Sequence, residues 1–99
     1  MNHKIRFRPA ALTDLDETHD WYENQQAALG DAFMECLNDL IEDIASRPAS
    51  FPTLEDDVKR GLTDRFPYCV YFTIDKQEIV VLAVLHGKRS PRVWQQRNE

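Results

Sequence analysis

The feature that most constrains this fold is an uninterrupted apolar run at positions 79–85, with the sequence IVVLAVL. Its β-branched residues favour a β-strand. A strand with one face in water would alternate apolar and polar residues, so the unbroken run predicts a strand that is buried on both faces. The chain must therefore supply neighbouring strands and cover both sides of a sheet.

The other strands are predicted from the residues around this run. Residues 69–74 (CVYFTI) are rich in β-branched and aromatic residues, and the polar residues 75–78 separate them from the run, which indicates a hairpin. Residues 59–66 are predicted as a further strand, which Gly61 weakens. Residues 4–8 alternate apolar and charged side chains, which is typical of a short, half-buried strand.

Two amphipathic helices are predicted between the first strand and the other three. The first follows Pro9 and extends to about Asn24, and the second ends before Pro48, because the residue preceding a proline is disfavoured in the α region. The first helix is expected to bury Ala11, Leu15, Thr18, Tyr22 and Trp21 and to expose its acidic residues Asp14, Asp16, Glu17, Asp20 and Glu23. The second is expected to bury Leu29, Phe33, Leu37, Leu40, Ile41 and Ile44. Residues 49–54 are predicted to form an irregular connector.

The C-terminus completes the predicted order of elements. Ser90 and Pro91 are expected to be the N-cap and first residue of a short helix that carries Val93 and Trp94. The order β-α-α-β-β-β plus this helix predicts an α+β fold: two antiparallel helices packed on a small, mainly antiparallel sheet. Residues 1–99 are interpreted as one domain.

Composition excludes several classes of protein. No apolar run approaches the roughly 20 residues that a membrane-spanning helix needs, and residues 1–6 lack the apolar stretch of a secretory signal. Cys36 and Cys69 form no close-spaced ligand pattern, which argues against zinc, and the acidic residues 55–57 lack calcium-loop spacing. We therefore expect a cytoplasmic protein with buried free thiols, no metal and no cofactor.

Charge is unevenly distributed along the chain. Residues 1–57 hold four Lys/Arg and thirteen Asp/Glu, whereas residues 58–99 hold eight Lys/Arg and four Asp/Glu. A basic C-terminal face could meet an acidic or phosphate-bearing partner. The whole chain has a net charge of −5, which is unusual for a protein that grips nucleic acid on its own.

Two segments of the C-terminal half resemble a known family. Residues 65–72 (RFPYCVYF) and residues 79–89 (IVVLAVLHGKR) are similar to the segments before and within the last hairpin of ParE-type toxins, also called plasmid stabilisation proteins. Lys88 replaces a basic residue of that pattern conservatively. Residues 90–94 (SPRVW) resemble the family's ending "D-P-x-x-W".

The resemblance extends over residues 4–95, since residues 8–16 and 22–23 are similar to the family's first helix. It implies the RelE/ParE toxin fold and a growth-inhibiting toxin that a cognate antitoxin neutralises. ParE-like toxins are associated with inhibition of DNA gyrase, whereas RelE-like relatives cleave mRNA on the ribosome. A degenerate, non-toxic homologue that still binds antitoxin is a third alternative. Because one fold serves both activities, the site must decide between them.

Two sets of candidate site residues follow. Ribonuclease chemistry needs an acid, a base and cations around a phosphate, for which His86, Arg65 and Arg60 are the candidates. Binding of gyrase or a related type II topoisomerase would instead use Lys88, Arg89, Arg92, Trp94 and Arg97, since Arg and Trp are frequent interface anchors. The alternative interpretations are that His86 ends a buried strand and that Trp94 packs the last helix on the sheet.

The second set is favoured over the first, so a protein-binding inhibitor is favoured over an enzyme. Trp94 stands where RelE-type nucleases tend to place a tyrosine or similar donor, and an indole N–H has no useful acid–base pKa. The acidic residues 10–57 would also be repelled by ribosomal RNA. For the antitoxin, residues 58–66 at a sheet edge and the helix surfaces are candidate contacts.

Overall fold

The computed structural model describes residues 3–89 and 91–98. Their elements are β1 (Lys4–Phe7), α1 (Pro9–Gln25), α2 (Leu29–Ser46), a 3₁₀ turn (Pro48–Ser50), β2 (Thr53–Glu55), β3 (Val58–Leu62), β4 (Tyr68–Asp75), β5 (Glu78–His86) and α3 (Pro91–Arg97). The strands form one sheet in the order β1-β5-β4-β3-β2, in which only the β1–β5 pairing is parallel. The predicted α+β class and order are confirmed, with β2 as an additional strand.

The apolar run lies where its composition requires. It forms most of β5, between β1 and β4, and residues 79–85 are all buried. Side chains on one face of the sheet pack with α1 and α2 in a cluster that we call the helix-side core. Its buried members are Ala11, Leu15, Tyr22, Phe33, Leu37, Leu40, Ile44, Val70, Phe72, Ile79, Val81 and Val84.

The opposite face of the sheet carries a second cluster, which we call the α3-side core. Its buried members are Val58, Cys69, Tyr71, Val80, Leu82, Ala83, Leu85 and Trp94. Two consecutive residues, Leu82 and Ala83, belong to this cluster because the register shifts there: Tyr71 is opposite Ala83, whereas Phe72 is opposite Val81. An extra residue of this kind is a β-bulge, which increases the local twist of the strand.

The α1–α2 turn is held by one side chain from α1. Glu23 accepts hydrogen bonds from the backbone N–H groups of Ala28 (3.2 Å), Gly30 (2.9 Å) and Asp31 (3.3 Å). Ala28 is the N-cap residue of α2, and Gly30 and Asp31 lie in its first turn, where helix geometry provides no acceptor. A Cβ on Gly30 would lie 2.5 Å from the carbonyl oxygen of His19, so the helices approach closely only because residue 30 is glycine.

The structure corrects four details of the sequence interpretation. Residues 53–55 form β2, within the segment predicted to be an irregular connector, and β3 ends at Leu62, before Phe66. Trp21 is 55% exposed, and only its neighbour Tyr22 is buried. Asp14, expected on the surface, is 8% exposed.

The predicted N-cap Ser90 lies outside the described residues, whereas Pro91 begins α3 as expected. Both cysteines are free thiols, Cys69 buried and Cys36 partly so. None of the described helices has the length and apolarity that crossing a membrane requires.

Replacing Glu23 with alanine is expected to lower the free energy of unfolding by about 1–2 kcal/mol, because the first turn of α2 loses its acceptor. Chemical denaturation measures this change. The matched control is Glu42→Ala on the exposed face of α2, for which we expect a change within about 0.5 kcal/mol. Equal effects of the two substitutions would contradict the capping role.

Candidate functional site

Three basic residues of the C-terminal part of the chain follow strand β5. Lys88 and Arg89 follow β5 directly, Arg92 lies in the first turn of α3, and all three residues are exposed. We call this set the basic C-terminal surface. The turn after β5 is ordered by hydrogen bonds from Gly87 N to Pro67 O (2.8 Å) and from Arg89 N to His86 O (2.9 Å).

Trp94 fixes α3 on the sheet. Its side chain is 5% exposed and its ring is nearly parallel to that of Tyr71, with 5.2 Å between the centroids and 14° between the planes. Burial raises the pKa of the Tyr71 hydroxyl, the neighbouring Cys69 adds to the increase, and Arg60 opposes it. Because the Trp94 indole is buried and stacked on Tyr71, it contributes to packing. The target-binding role predicted for Trp94 stays a prediction.

Arg97 lies in an internal ion pair. Its Nη1 donates to Asp14 Oδ2 at 2.6 Å and its Nη2 to Asp14 Oδ1 at 3.3 Å, and the side chains are 24% and 9% exposed. The same Nη1 lies 3.3 Å from Leu82 O, and the same carboxylate accepts the Val84 N–H at 3.0 Å. Arg97 thus connects α1, α3 and the edge of β5, and its predicted contact with a target stays a prediction.

Of the three candidates for ribonuclease chemistry, two lie on opposite faces of the sheet and the third lies in a loop. Arg60 is opposite Tyr71, on the face covered by α3, whereas His86 is opposite Tyr68, which packs on the helix-side core. Cross-strand partners project to the same face, so Arg60 and His86 lie on opposite faces. Arg65 lies in the β3–β4 loop, with its guanidinium carbon 5.6 Å from the centre of the Phe66 ring.

His86, the last residue of β5, contacts the following turn and a tyrosine on the neighbouring strand. Its Nδ1 accepts a hydrogen bond from the Lys88 backbone N–H at 3.0 Å, and its ring meets that of Tyr68 edge-on at 5.6 Å between centroids. Because Nδ1 is an acceptor here, a neutral imidazole carries its proton on Nε2. Arg60 Nε is buried without a hydrogen-bond partner among the described residues.

A histidine and two carboxylates meet at the α1–α2 turn. Potential ligand atoms of His19, Glu23 and Asp31 lie within 4.8 Å of one another. However, the Glu23 carboxylate already accepts three backbone N–H groups of α2. His19 Nε2 lies 3.1 Å from Asp31 and its Nδ1 lies 3.3 Å from Asp20, so a protonated imidazole donates to both carboxylates. Helix capping and ion pairing therefore account for this cluster.

Sequence reasoning missed Asp14 and Glu23 as structural residues. A signal for Asp14 was present, because position 14 falls between Ala11 and Leu15 on the buried stripe of α1, where a carboxylate needs a partner. Glu23 had no such signal, because the backbone N–H groups that its carboxylate accepts lie at the start of the next helix.

Asp14→Asn is expected to destabilise the fold by about 3 kcal/mol, because it leaves the partly buried Arg97 guanidinium without its counter-ion. Urea denaturation of the variant checks this value. Asp16→Asn, two residues further along α1 and exposed, is the control and should change the unfolding free energy by less than about 0.5 kcal/mol. A variant as stable as the wild type would show that the ion pair contributes little.

The His19 contacts predict a pH dependence of stability. Hydrogen bonds to Asp31 and then Asp20 raise the pKa of His19 above 6.5, with Glu23 adding a smaller attraction. The resulting stabilisation is fully present below pH 6.5, the unfolded pKa, and is lost as the pH rises through the higher folded pKa. The stability difference between wild type and His19→Gln should therefore be larger at about pH 5 than at about pH 9.

Denaturation curves at the two pH values test this dependence. In an Asp31→Asn background, the effect of His19→Gln should depend less on pH, because the largest cause of the raised pKa is gone. A stability difference that does not vary with pH in the wild-type background would contradict the assignment.

Comparison with known proteins gives a match to one sequence family and matches to several solved structures, two of which are described below. The sequence family described as the ParE toxin of the type II toxin–antitoxin system ParDE matches residues 5–91. A structure of the chromosomal ParDE toxin–antitoxin system from P. aeruginosa has a TM-score of 0.75 and 16% identity, covering 85% of this chain and 95% of that chain. The RelBE2 toxin–antitoxin complex from Mycobacterium tuberculosis has a TM-score of 0.60 and 20% identity, covering 87% and 99%. A comparison with curated proteins found no match.

At these identities the two structural matches establish the fold alone. The sequence match carries more, because it extends from the second residue of β1 to the first residue of α3. It therefore includes the helical hairpin, all of the sheet except Lys4, and the basic turn after β5. The chain therefore belongs to the ParE toxin family of type II toxin–antitoxin systems.

Proposed function

We propose that this toxin binds and inhibits DNA gyrase, or a related type II topoisomerase, through the basic C-terminal surface, and that a cognate antitoxin neutralises it. The observation that carries the proposal is the arrangement of Lys88, Arg89 and Arg92, three exposed cations that follow the most deeply buried strand of the sheet. Cations on a rigid support favour recognition of an acidic or phosphate-bearing surface.

The helix α3 makes this surface rigid. Trp94 stacks on Tyr71 and Arg97 pairs with Asp14, so both sides of α3 are attached to the sheet and to α1. Gln95 and Asn98 add hydrogen bonds to Glu55 and Asp57 near β2. Trp94 and Arg97 thereby support the proposed surface by holding Arg92 in place, whether or not they also touch the target.

The positions of Arg60, Arg65 and His86 support a binding inhibitor over a ribonuclease. Cleavage of RNA requires an acid or base and cations around the same phosphate. Arg60 and His86 lie on opposite faces of the sheet, and Arg65 stacks on Phe66 in a loop. We therefore assign the toxin a non-enzymatic role in the cytoplasm, where gyrase acts.

The antitoxin is supported by the family and by the two similar structures. Both structural matches are toxin–antitoxin systems, and the one from M. tuberculosis is described as a complex of the two proteins. Transferred to this chain, the likeness suggests that a partner protein covers part of its surface and blocks access to the target.

The double charge reversal Lys88→Glu/Arg89→Glu is expected to weaken gyrase inhibition roughly tenfold or more, because it replaces attraction with repulsion at the centre of the surface. The measurement is the concentration of toxin that inhibits supercoiling by purified gyrase. Lys4→Glu/Lys76→Glu changes the net charge equally at the opposite end of β5, on exposed residues, and should leave inhibition nearly unchanged.

Induction of the wild-type chain in a bacterial host separates the alternatives. Induction of the DNA-damage response with intact transcripts supports topoisomerase inhibition. Transcript cleavage without DNA damage would instead support the RelE-like ribonuclease, with His86 then tested by substitution with alanine. Normal growth would indicate a degenerate homologue that retains only antitoxin binding.

A further inference from the structure

The edge of the sheet next to β3 is only partly covered by β2. The pairing of β2 with β3 includes Val58 and Lys59 and continues to a hydrogen bond from Arg60 N to Pro52 O (3.1 Å). On the other side, Thr63 N donates to Tyr68 O of β4 at 3.0 Å. Hydrogen-bond directions alternate along an antiparallel strand, so the N–H and C=O of Leu62 point away from β4.

No described strand continues β2 alongside Leu62, whose side chain is 61% exposed. An exposed strand edge with an apolar residue is a template for pairing with another chain. Natural proteins often protect such edges with lysines, proline or a bulge. Here β3 itself carries Lys59 and Arg60, but the groove next to Leu62 is lined mainly by carboxylates.

A groove of about 380 Å³ lies between this edge and α2. The edge residue Leu62 and the α2 residues Cys36 and Leu40 line it, and Glu35 and Asp39 extend along its α2 side. We call it the α2–β3 groove.

Further carboxylates surround the groove. Asp43 and Asp64 also line it, and Glu42 lies in the adjoining hollow of α2 with Asp39. Two arginines are nearby: Arg65 lines the groove, and Arg47 pairs with Asp43 at 3.1 Å. Five carboxylates against two cations leave this region strongly negative, which is the opposite of the basic C-terminal surface.

We propose that the α2–β3 groove is the docking site for an extended segment of the antitoxin, and that this segment carries lysine or arginine between apolar residues. The proposal rests on the proposed function, since it takes the antitoxin as the partner. The backbone of the segment pairs with the free N–H and C=O of Leu62, which is strand addition at a sheet edge. Leu62 is opposite Cys69, so its side chain projects to the face that carries α3, whereas Leu40 lies on the face covered by α2. Alternate side chains of an added strand project to opposite faces, so apolar side chains on the two faces cover Leu62 and Leu40, and cations on the α2 side face its carboxylates.

The charge of the groove selects this occupant. An acidic or neutral segment would bring no compensation for five carboxylates, whereas a basic one gains charge-assisted contacts and a faster association. The groove and the basic C-terminal surface would then recognise partners of opposite charge, so the toxin can distinguish its antitoxin from its target by sign as well as by shape.

Charge reversal tests the groove. Full-length toxin is titrated with the antitoxin, taken as the product of the adjoining gene, and the Kd is measured by calorimetry. Glu35→Lys/Asp39→Lys should raise the Kd roughly tenfold or more, because two attractive contacts become repulsive. Asp16→Lys/Asp20→Lys makes the same charge change with the same spacing on the exposed face of α1, and should change the Kd by less than about threefold.

Hydrogen exchange tests the strand pairing without any substitution. The Leu62 amide should exchange rapidly in the free toxin and be protected in the complex. The Gly61 amide is the internal control, since it faces β4 opposite Val70 and should be protected in both states. In addition, Leu62→Pro removes the outward N–H together with the leucine side chain, whereas Leu62→Ala removes the side chain alone; proline should weaken binding more than alanine, while the melting temperature confirms that the sheet is formed.

The outcomes separate the two proposals. If the wild-type chain binds the antitoxin, but the groove variants bind equally well and Leu62 gains no protection, the docking site is wrong and the antitoxin partnership stands. If the wild-type chain forms no complex at micromolar concentration, the partnership is wrong and the docking site fails with it. Weaker binding of the groove variants, together with protection of Leu62, supports both.

Discussion

The fold depends on hydrogen-bond partners for the backbone groups of β5 that β1 does not reach. Strand β1 pairs with β5 only as far as Val81, so the backbone groups beyond that residue lose their strand neighbour within a buried region. A buried backbone group without a partner costs about 1–3 kcal/mol. Asp14 accepts a hydrogen bond from the Val84 N–H, and Arg97 donates one to the Leu82 carbonyl. The ion pair between α1 and α3 thus provides the hydrogen bonds that a neighbouring strand would otherwise make. The same contact fixes α1 and α3 relative to the sheet.

The two faces of the sheet are covered by different means, and this separates two kinds of surface. On one face, α1 and α2 bury an extensive apolar cluster and direct their acidic residues outwards. On the other, the seven-residue helix α3 relies on the Trp94–Tyr71 stack and leaves basic residues exposed near the end of β5. The carboxylates along α2 and the basic residues Lys88 and Arg92 therefore belong to different elements, whereas Arg89 lines a hollow together with Asp14 and Glu17 of α1. This separation is the physical basis for proposing two partners of opposite charge.

The pleat of the sheet also separates two of the candidate ribonuclease residues, Arg60 and His86. Arg60, Arg65 and His86 are close enough in the predicted hairpins to suggest one catalytic cluster. The observed register places Arg60 opposite Tyr71 and His86 opposite Tyr68, and these two tyrosines belong to opposite faces. In contrast, Lys88, Arg89 and Arg92 are close together in the sequence, and the turn after β5 orders the first two. A site formed by residues close in sequence can be predicted even when the strand register is predicted wrongly. A site formed across two strands cannot, because a shift of one residue moves a side chain to the other face of the sheet.

By itself, the sequence determined the elements whose signals are local: the helical period of α2, the polar turn before β5 and the unbroken apolar run that had to be central. It also determined the family, through the residues around the last hairpin. Contacts between residues distant in the chain were decided only by the tertiary structure. Asp14 was assigned to the surface because acidic residues surround it in sequence, although Arg97 and the edge of β5 make its burial possible. The short strand β2 and the free edge of β3 depend likewise on pairing between strands. Local periodicity carries no information about such partners, because a buried charge or a strand edge is defined by what lies across from it.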